Sequence, residues 1–217
     1  MKLNEDAALT VAGLLLQIKA IKLNVASPFT WASGIKSPIY CDNRITLSYP
    51  KIRNFIRQEF VSIILERYEK PDLIAGVATG GIAQGALVAQ ELGLPFAYVR
   101  SEKKSHGMTN QIEGIVDSGQ SVVVIEDLIS TGGSSLNAVR ALRESGANVK
   151  GMLAIFTYGL DISVKNFAAE KCELITLTDY STLLRKAIEE NYVSEKDMQS
   201  LMQWRLDPQG WEASLKK

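Results

Sequence analysis

Val122-Val123-Val124-Ile125 is a run of apolar β-formers that leads straight into two carboxylates, Glu126 and Asp127, and then into Leu128-Ile129-Ser130-Thr131-Gly132-Gly133-Ser134-Ser135. The apolar run reads as a strand over 121–125 covered on both faces, because a strand with one solvated face would alternate. Such a strand needs parallel neighbours and flanking helices, which commits the chain to an α/β architecture. The hydroxyl- and glycine-rich stretch opens a helix expected over 134–145, with Gly146 as its C-terminal cap. Backbone N–H groups of the loop and first helical turn, the hydroxyls and the positive end of the helix dipole together suit a phosphate. The carboxylates cannot face that phosphate. They suit the hydroxyls of a sugar attached to it, or a metal coordinated to that sugar. The glycines taken alone allow a plainer reading, a strand-to-helix turn capped by Asp127. No Lys follows Gly132-Gly133 as in a Walker A loop, and G-x-G-x-x-G is absent.

Around this segment strands and helices alternate. A helix is expected over 5–20, capped by Asn4, with Glu5 and Asp6 in its first turn. Pro28, Gly34 and Pro38 break 29–44 into short strands and turns. Apolar residues from Ile52 to Ile64 recur at helical spacing behind Pro50. The runs 73–77, 95–100, 149–156 and 173–177 read as strands, with a helix over 82–92. In the tail, Ser194 and Asp197 have capping-box spacing, Met198, Leu201 and Met202 form one apolar face, and Asp207-Pro208 starts a last short helix. One domain over 1–217 is expected.

Composition narrows the function classes. The 24 Lys and Arg balance the 24 Asp and Glu, so there is no basic field for a nucleic-acid backbone. His106 is the only histidine, which excludes a multi-histidine metal site, and Cys41 and Cys172 lack metal-ligand spacing. The cysteines read as reduced thiols of a cytoplasmic protein. The polar start MKLNEDAALT is unlike a signal peptide, and no apolar run is long enough to span a bilayer.

Glu126 to Ser135 resembles the phosphoribosyl pyrophosphate (PRPP) signature of type I phosphoribosyltransferases. Two further stretches narrow the resemblance. Tyr98-Val99-Arg100-Ser101-Glu102-Lys103-Lys104-Ser105-His106-Gly107, continuing through Asn110-Gln111-Ile112-Glu113-Gly114, resembles the catalytic loop of orotate phosphoribosyltransferases. Phe29-Thr30-Trp31-Ala32-Ser33-Gly34-Ile35-Lys36-Ser37-Pro38-Ile39-Tyr40-Cys41-Asp42 resembles their base-side segment. The three occur in family order, and the similarity covers most of the chain.

The resemblance implies the type I phosphoribosyltransferase fold, an α/β fold with a mostly parallel sheet flanked by helices, in which residues 1–48 form a small N-terminal hood and base-side segment. It implies transfer of the 5-phosphoribosyl group from PRPP to orotate in de novo pyrimidine (UMP) biosynthesis. Mg2+ would arrive on PRPP, with no direct protein ligand. The partners would be these small molecules and a second copy of the chain, in a homodimer that shares the loop between subunits, with no nucleic acid and no membrane. Lys104, His106 and Asp127 are the implied catalytic residues. Arg100, Lys104, His106, Glu126 and Asp127 would contact PRPP, together with Leu128, Ile129, Ser130, Thr131, Gly132, Gly133 and Ser134. Ser130 and Tyr40 would contact orotate. The loop cations stand where a departing pyrophosphate gathers charge, and Gly107 would let the loop close over it; a solvated basic hairpin tip is the alternative. Ala75-Gly76-Val77-Ala78-Thr79-Gly80-Gly81 would bind pyrophosphate, unless it is only a tight turn.

The chain also departs from the family pattern. Some members carry lysine at positions matching Gly80 and Ala32, a basic residue at Ser101, and an arginine near Phe156-Thr157-Tyr158-Gly159 that holds the base carboxylate. None is present here, so the group that neutralises that carboxylate is open, with Lys36 a candidate. A purine phosphoribosyltransferase would share the signature but not FTWASGIKSPIY. A PRPP-sensing nucleic-acid regulator would need an added helix-turn-helix or a basic face.

Overall fold

The computed structural model describes residues 4–31, 34, 36–100 and 111–214. Helix α1 (Glu5–Gln17) starts as expected: the Asn4 side chain accepts from the Asp6 N–H at 3.1 Å. It ends short of residue 20, because Lys19 takes a left-handed φ of 58° and turns the chain into β1 (Ile21–Leu23). There Ile21 is buried by pairing, and tertiary contact overrides the helical pattern. Short strands β2 (Phe29–Thr30), β3 (Lys36–Ser37) and β4 (Ile39–Cys41) follow; β1 pairs with β4 and β2 with β3, both antiparallel. A 3-10 helix (Asn43–Ser48) then leads into α2 (Pro50–Tyr68), where Pro50 sits in the first turn, a position whose N–H has no helical acceptor.

The main sheet is built from β5 (Leu73–Val77), β6 (Phe96–Val99), β7 (Ile112–Glu113), β8 (Ser121–Ile129), β9 (Asn148–Thr157) and β10 (Leu174–Asp179). Their order is β10-β9-β8-β5-β6-β7, parallel throughout except for β7. Helices α3 (Gly80–Leu92), α4 (Gly133–Glu144), α5 (Asp161–Ala169), α6 (Tyr180–Glu189), α7 (Glu195–Leu206) and α8 (Pro208–Ser214) complete the chain. Strand side chains alternate between two apolar layers. Val123 and Ile125 face the layer shared with α1, α2, α3, α6 and α7, while Val122 and Val124 face the layer shared with α4 and α5.

Three differences from the sequence expectation bear on the site. First, β8 does not stop at Ile125. Its pairing with β9 continues through Glu126↔Ala154, Leu128↔Phe156 and Ile129↔Thr157, so the acids are strand residues and the connecting loop is short. Backbone pairing is indifferent to side-chain polarity, so the end of the apolar run does not mark the end of the strand. Second, α5 and α6 carry no expectation; α5 has no side-chain cap to signal it, whereas α6 is capped by Asp179, which accepts from the Thr182 N–H. Third, the buried face of α7 is Leu201 with Trp204 rather than Met202, which is 56% exposed. The capping box at Ser194 and Asp197 forms as expected. Among the described residues no helix is long and apolar enough to cross a membrane.

Candidate active site

The chain leaves β5 through α3 towards β6, and leaves β8 through α4 towards β9, in opposite directions along the sheet. Helices α3 and α4 therefore part to opposite faces, opening a crevice beyond the carboxyl ends of β5 and β8. This topological switch is where α/β sheets bind ligands.

Glycines bring the two sides of the crevice together. A Cβ on Gly80 would collide with the Asp127 carboxylate, and one on Gly81 with the Ile125 carbonyl oxygen. The N-terminus of α3, which has no side-chain cap, thus lies directly against the acid pair. A larger side chain at residue 80 would have to displace the Asp127 carboxylate from this position. The peptide between Ala78 and Thr79, just before this helix, is cis.

Glu126 is buried, and both its oxygens are engaged. Oε1 accepts from the Asp127 N–H at 3.0 Å, and Oε2 accepts from the Ser135 hydroxyl at 2.8 Å. Burial first, and then the neighbouring Asp127 charge, push the Glu126 carboxyl well above its ordinary range. Burial also raises Asp127, opposed by its contact with Glu126 and by the Arg44 charge. The two acids are close enough to titrate as a pair, and burial holds the pair above the ordinary carboxylate range.

Beyond the acids, Gly132 has a φ of 82°, and a Cβ there would lie 2.7 Å from the Phe167 ring. Only glycine suits both the conformation and the contact. Helix α4 follows with no side-chain cap, and Thr131, Gly133 and Ser134 are exposed around its first turn. The Asn166 side chain steadies the loop by donating to the Thr131 carbonyl at 3.0 Å. The result is a rigid, uncapped helix N-terminus open to an anion. Ser130 is half-buried at the start of this loop.

Opposite stands the N-terminal segment. The Asn43 side chain is buried and donates to the Asp127 carbonyl at 2.6 Å, linking residues 84 positions apart. Its Oδ1 accepts from the Cys41 thiol at 3.3 Å. Burial, then the charges of Asp127 and Asp42, push that thiol up, so Cys41 stays neutral beside the acids. Asp42 and Arg44 form an ion pair at 2.7 Å. Tyr40 is exposed, with the Phe29 ring 5.7 Å away and Lys22 Nζ 5.9 Å from its ring centre.

Lys36 donates to the Thr30 hydroxyl at 2.6 Å on the β2–β3 hairpin. Arg100 follows β6; its N–H donates to the Gln111 carbonyl at 2.9 Å, and its side chain pairs with Glu113 at 3.5 Å. Lys104, His106, Ser101 and Ala32 lie outside the described residues. The base-side resemblance ends at Asp42, so it misses Asn43 and Arg44. A buried amide cannot be told from an exposed one by its letter, and the only local signal was the polar run Asp42-Asn43-Arg44.

Comparison with known proteins places the chain in a family. The phosphoribosyl transferase domain family matches residues 48–176. An orotate phosphoribosyltransferase of Phocaeicola vulgatus is 58% identical over 92% of this chain and 94% of that protein. Among solved structures, an orotate phosphoribosyltransferase from Aeropyrum pernix superposes with a TM-score of 0.70 at 26% identity, covering 85% of this chain and 99% of that one. UMP synthase of Leishmania donovani gives a TM-score of 0.74 at 26% identity; the match covers 92% of this chain but 43% of that longer protein. With its signature strand, its switch crevice and relatives matched over nearly their whole length, the chain belongs to the orotate phosphoribosyltransferase family.

Proposed function

We infer that the protein transfers the 5-phosphoribosyl group from PRPP to orotate, giving orotidine 5′-phosphate and pyrophosphate in pyrimidine biosynthesis. The observation that carries this reading is the acid pair of β8, set at the switch crevice between two uncapped helix N-termini. The first turn of α4 receives the 5′-phosphate. The carboxylates accept the ribose hydroxyls, in charge-assisted hydrogen bonds stronger than neutral ones. The loop at Thr79-Gly80-Gly81 faces the pyrophosphate on the other side of the sugar.

The C1′–oxygen bond to pyrophosphate breaks as a bond from C1′ to the ring nitrogen of the base forms. Positive charge develops on the ribosyl ring and negative charge on the leaving group. Arg100, Lys104 and His106 stabilise the leaving group, and exclusion of water keeps the sugar cation for the base. Mg2+ fits as a passenger on PRPP. Both Glu126 oxygens are already engaged, so the ion would be held by PRPP oxygens and water rather than by Glu126, and would shield the pyrophosphate charge. The chain works in the cytoplasm as a homodimer, each loop reaching into the neighbour's site.

Offering PRPP with orotate, uracil, hypoxanthine, guanine and adenine tests the substrate; turnover is expected with orotate alone. Turnover of a purine base without orotate would overturn the assignment.

The burial of Glu126 also makes stability depend on pH. The Glu126 carboxyl is raised on folding, so the folded chain holds more protons than the unfolded one above about pH 4.3. Its contribution to stability is therefore complete at lower pH and is lost as pH rises through the folded value. Glu126→Gln removes the charge; its amide oxygen can still accept from the Asp127 N–H, and its amide N–H can donate to the Ser135 hydroxyl instead of accepting from it. Its melting temperature should match the wild type near about pH 4 and exceed it near about pH 8, while PRPP affinity falls. A variant less stable than wild type at the higher pH would contradict the strain.

The shared site is tested by mixing Lys104→Ala with Asp127→Asn under conditions of subunit exchange. A heterodimer holds one site with both lesions and one with neither, so random pairing should restore roughly a quarter of wild-type activity. Heterodimers seen by mass spectrometry without recovered activity would refute it.

A further inference from the structure

We infer that Arg44 recognises the carboxylate of the pyrimidine base through the Nη1 edge of its guanidinium, and so sets the preference for a carboxylated ring. The inference rests on the orotate reading above, which requires a cation for that group but does not name one.

Arg44 is the second residue of the 3-10 helix Asn43–Ser48. The residue before it is fixed to the acid strand by the Asn43–Asp127 hydrogen bond of 2.6 Å, and the Asp42 N–H is tied to the Ala20 carbonyl at 2.8 Å. The backbone that carries Arg44 is thus registered against the end of β8. Its guanidinium is oriented as well. Asp42 accepts from Nε at 2.7 Å and from Nη2 at 3.0 Å, gripping one side of the planar group. Nη1 and the second Nη2 proton form the other donor edge, and among the described residues nothing accepts from Nη1. The side chain is 59% exposed, so a ligand can reach it. A guanidinium held on one edge and open on the next is pre-organised for a two-pronged bond to a planar carboxylate.

The neighbouring Asn43, bonded to the Asp127 carbonyl, keeps the Arg44 backbone beside the acid strand, and Asp42, its ion-pair partner, raises the guanidinium. Other described cations of this region are engaged differently. Lys36 donates to Thr30, Arg53 to the Leu47 carbonyl and Arg205 to Ser181, while Lys22 sits over the Tyr40 ring. Lys22 is the nearest competitor, but an ammonium offers no planar fork.

Orotidine 5′-phosphate and uridine 5′-phosphate differ only by the carboxylate, so calorimetric titration of both isolates its recognition. The ligands are titrated into wild type, Arg44→Ala, Arg44→Lys and Lys22→Ala, each checked by thermal melting. Wild type should prefer the carboxylated nucleotide. Arg44→Ala should lose that ligand on the order of 10- to 100-fold while holding uridine 5′-phosphate within about twofold. Arg44→Lys should recover part of the loss, and Lys22→Ala should change the ratio little. Should Arg44→Ala melt early, Arg44→Gln, which keeps an amide donor for Asp42, replaces it. Equal weakening of both ligands, no weakening of either, or the loss appearing in Lys22→Ala would each overturn the assignment. Wild type with no preference and no turnover of orotate would instead overturn the orotate reading beneath it.

Discussion

The start of α3 lies so close to the end of β8 that the Asp127 carboxylate occupies the space a methyl group on Gly80 would need, and the Ile125 carbonyl the space beside Gly81. Two strand ends whose helices diverge would otherwise leave a broad gap. The glycines close it, so that a helix N-terminus and a buried acid pair face one small volume. Burial there raises both carboxyls, and the low dielectric strengthens the hydrogen bonds such groups make. The Ser135 hydroxyl and the Asp127 N–H each donate to Glu126, and burial still holds its carboxyl above the ordinary range.

The base side is carried by small elements that could not stand alone, since isolated two-stranded ribbons are marginal in water. Two devices hold them. One is polar: Asn43, buried, reaches the Asp127 carbonyl. The other is aromatic. Trp31 lies 5.3 Å from Tyr158 and 5.5 Å from Trp204, and Tyr158 and Tyr180 in turn contact Trp204 at 5.6 and 5.5 Å. Edge and tilted ring pairs of this kind contribute about 0.5–1.5 kcal/mol each beyond area burial. The Tyr180 hydroxyl donates to the Leu201 carbonyl, and the Trp31 indole to the Ile39 carbonyl, so the cluster is also positioned by hydrogen bonds. Helix α7 thereby supports the base-side segment from a place remote in sequence.

The acid pair, the glycine-rich turn before α4 and the α/β class were legible because each is a local pattern: a continuous apolar run, adjacent acids, glycines before a helix. What escaped depends on pairing across the chain. The extension of β8 to Ile129 follows from β9, and the end of α1 at Gln17 follows from the strand that Ile21 joins. The close approach of Gly80 to Asp127 is visible only once α3 is seen against the end of β8. Asn43 and Arg44 look like surface residues of a short polar run, yet one is buried and the other is held by Asp42. Met202, apolar and correctly spaced, is exposed, because Trp204 takes the buried face of α7.

The central claim is that the carboxylates at the end of β8 serve the sugar rather than the fold. It is tested most directly by titrating PRPP with Mg2+ into the wild type and Asp127→Asn in a calorimeter, beside a melting curve for each ligand-free protein. Removing a buried charge should leave the melting temperature unchanged or higher, while PRPP affinity falls at least about tenfold through loss of charge-assisted bonds. Unaltered PRPP affinity together with a lower melting temperature would show Asp127 to be a structural cap and contradict the account.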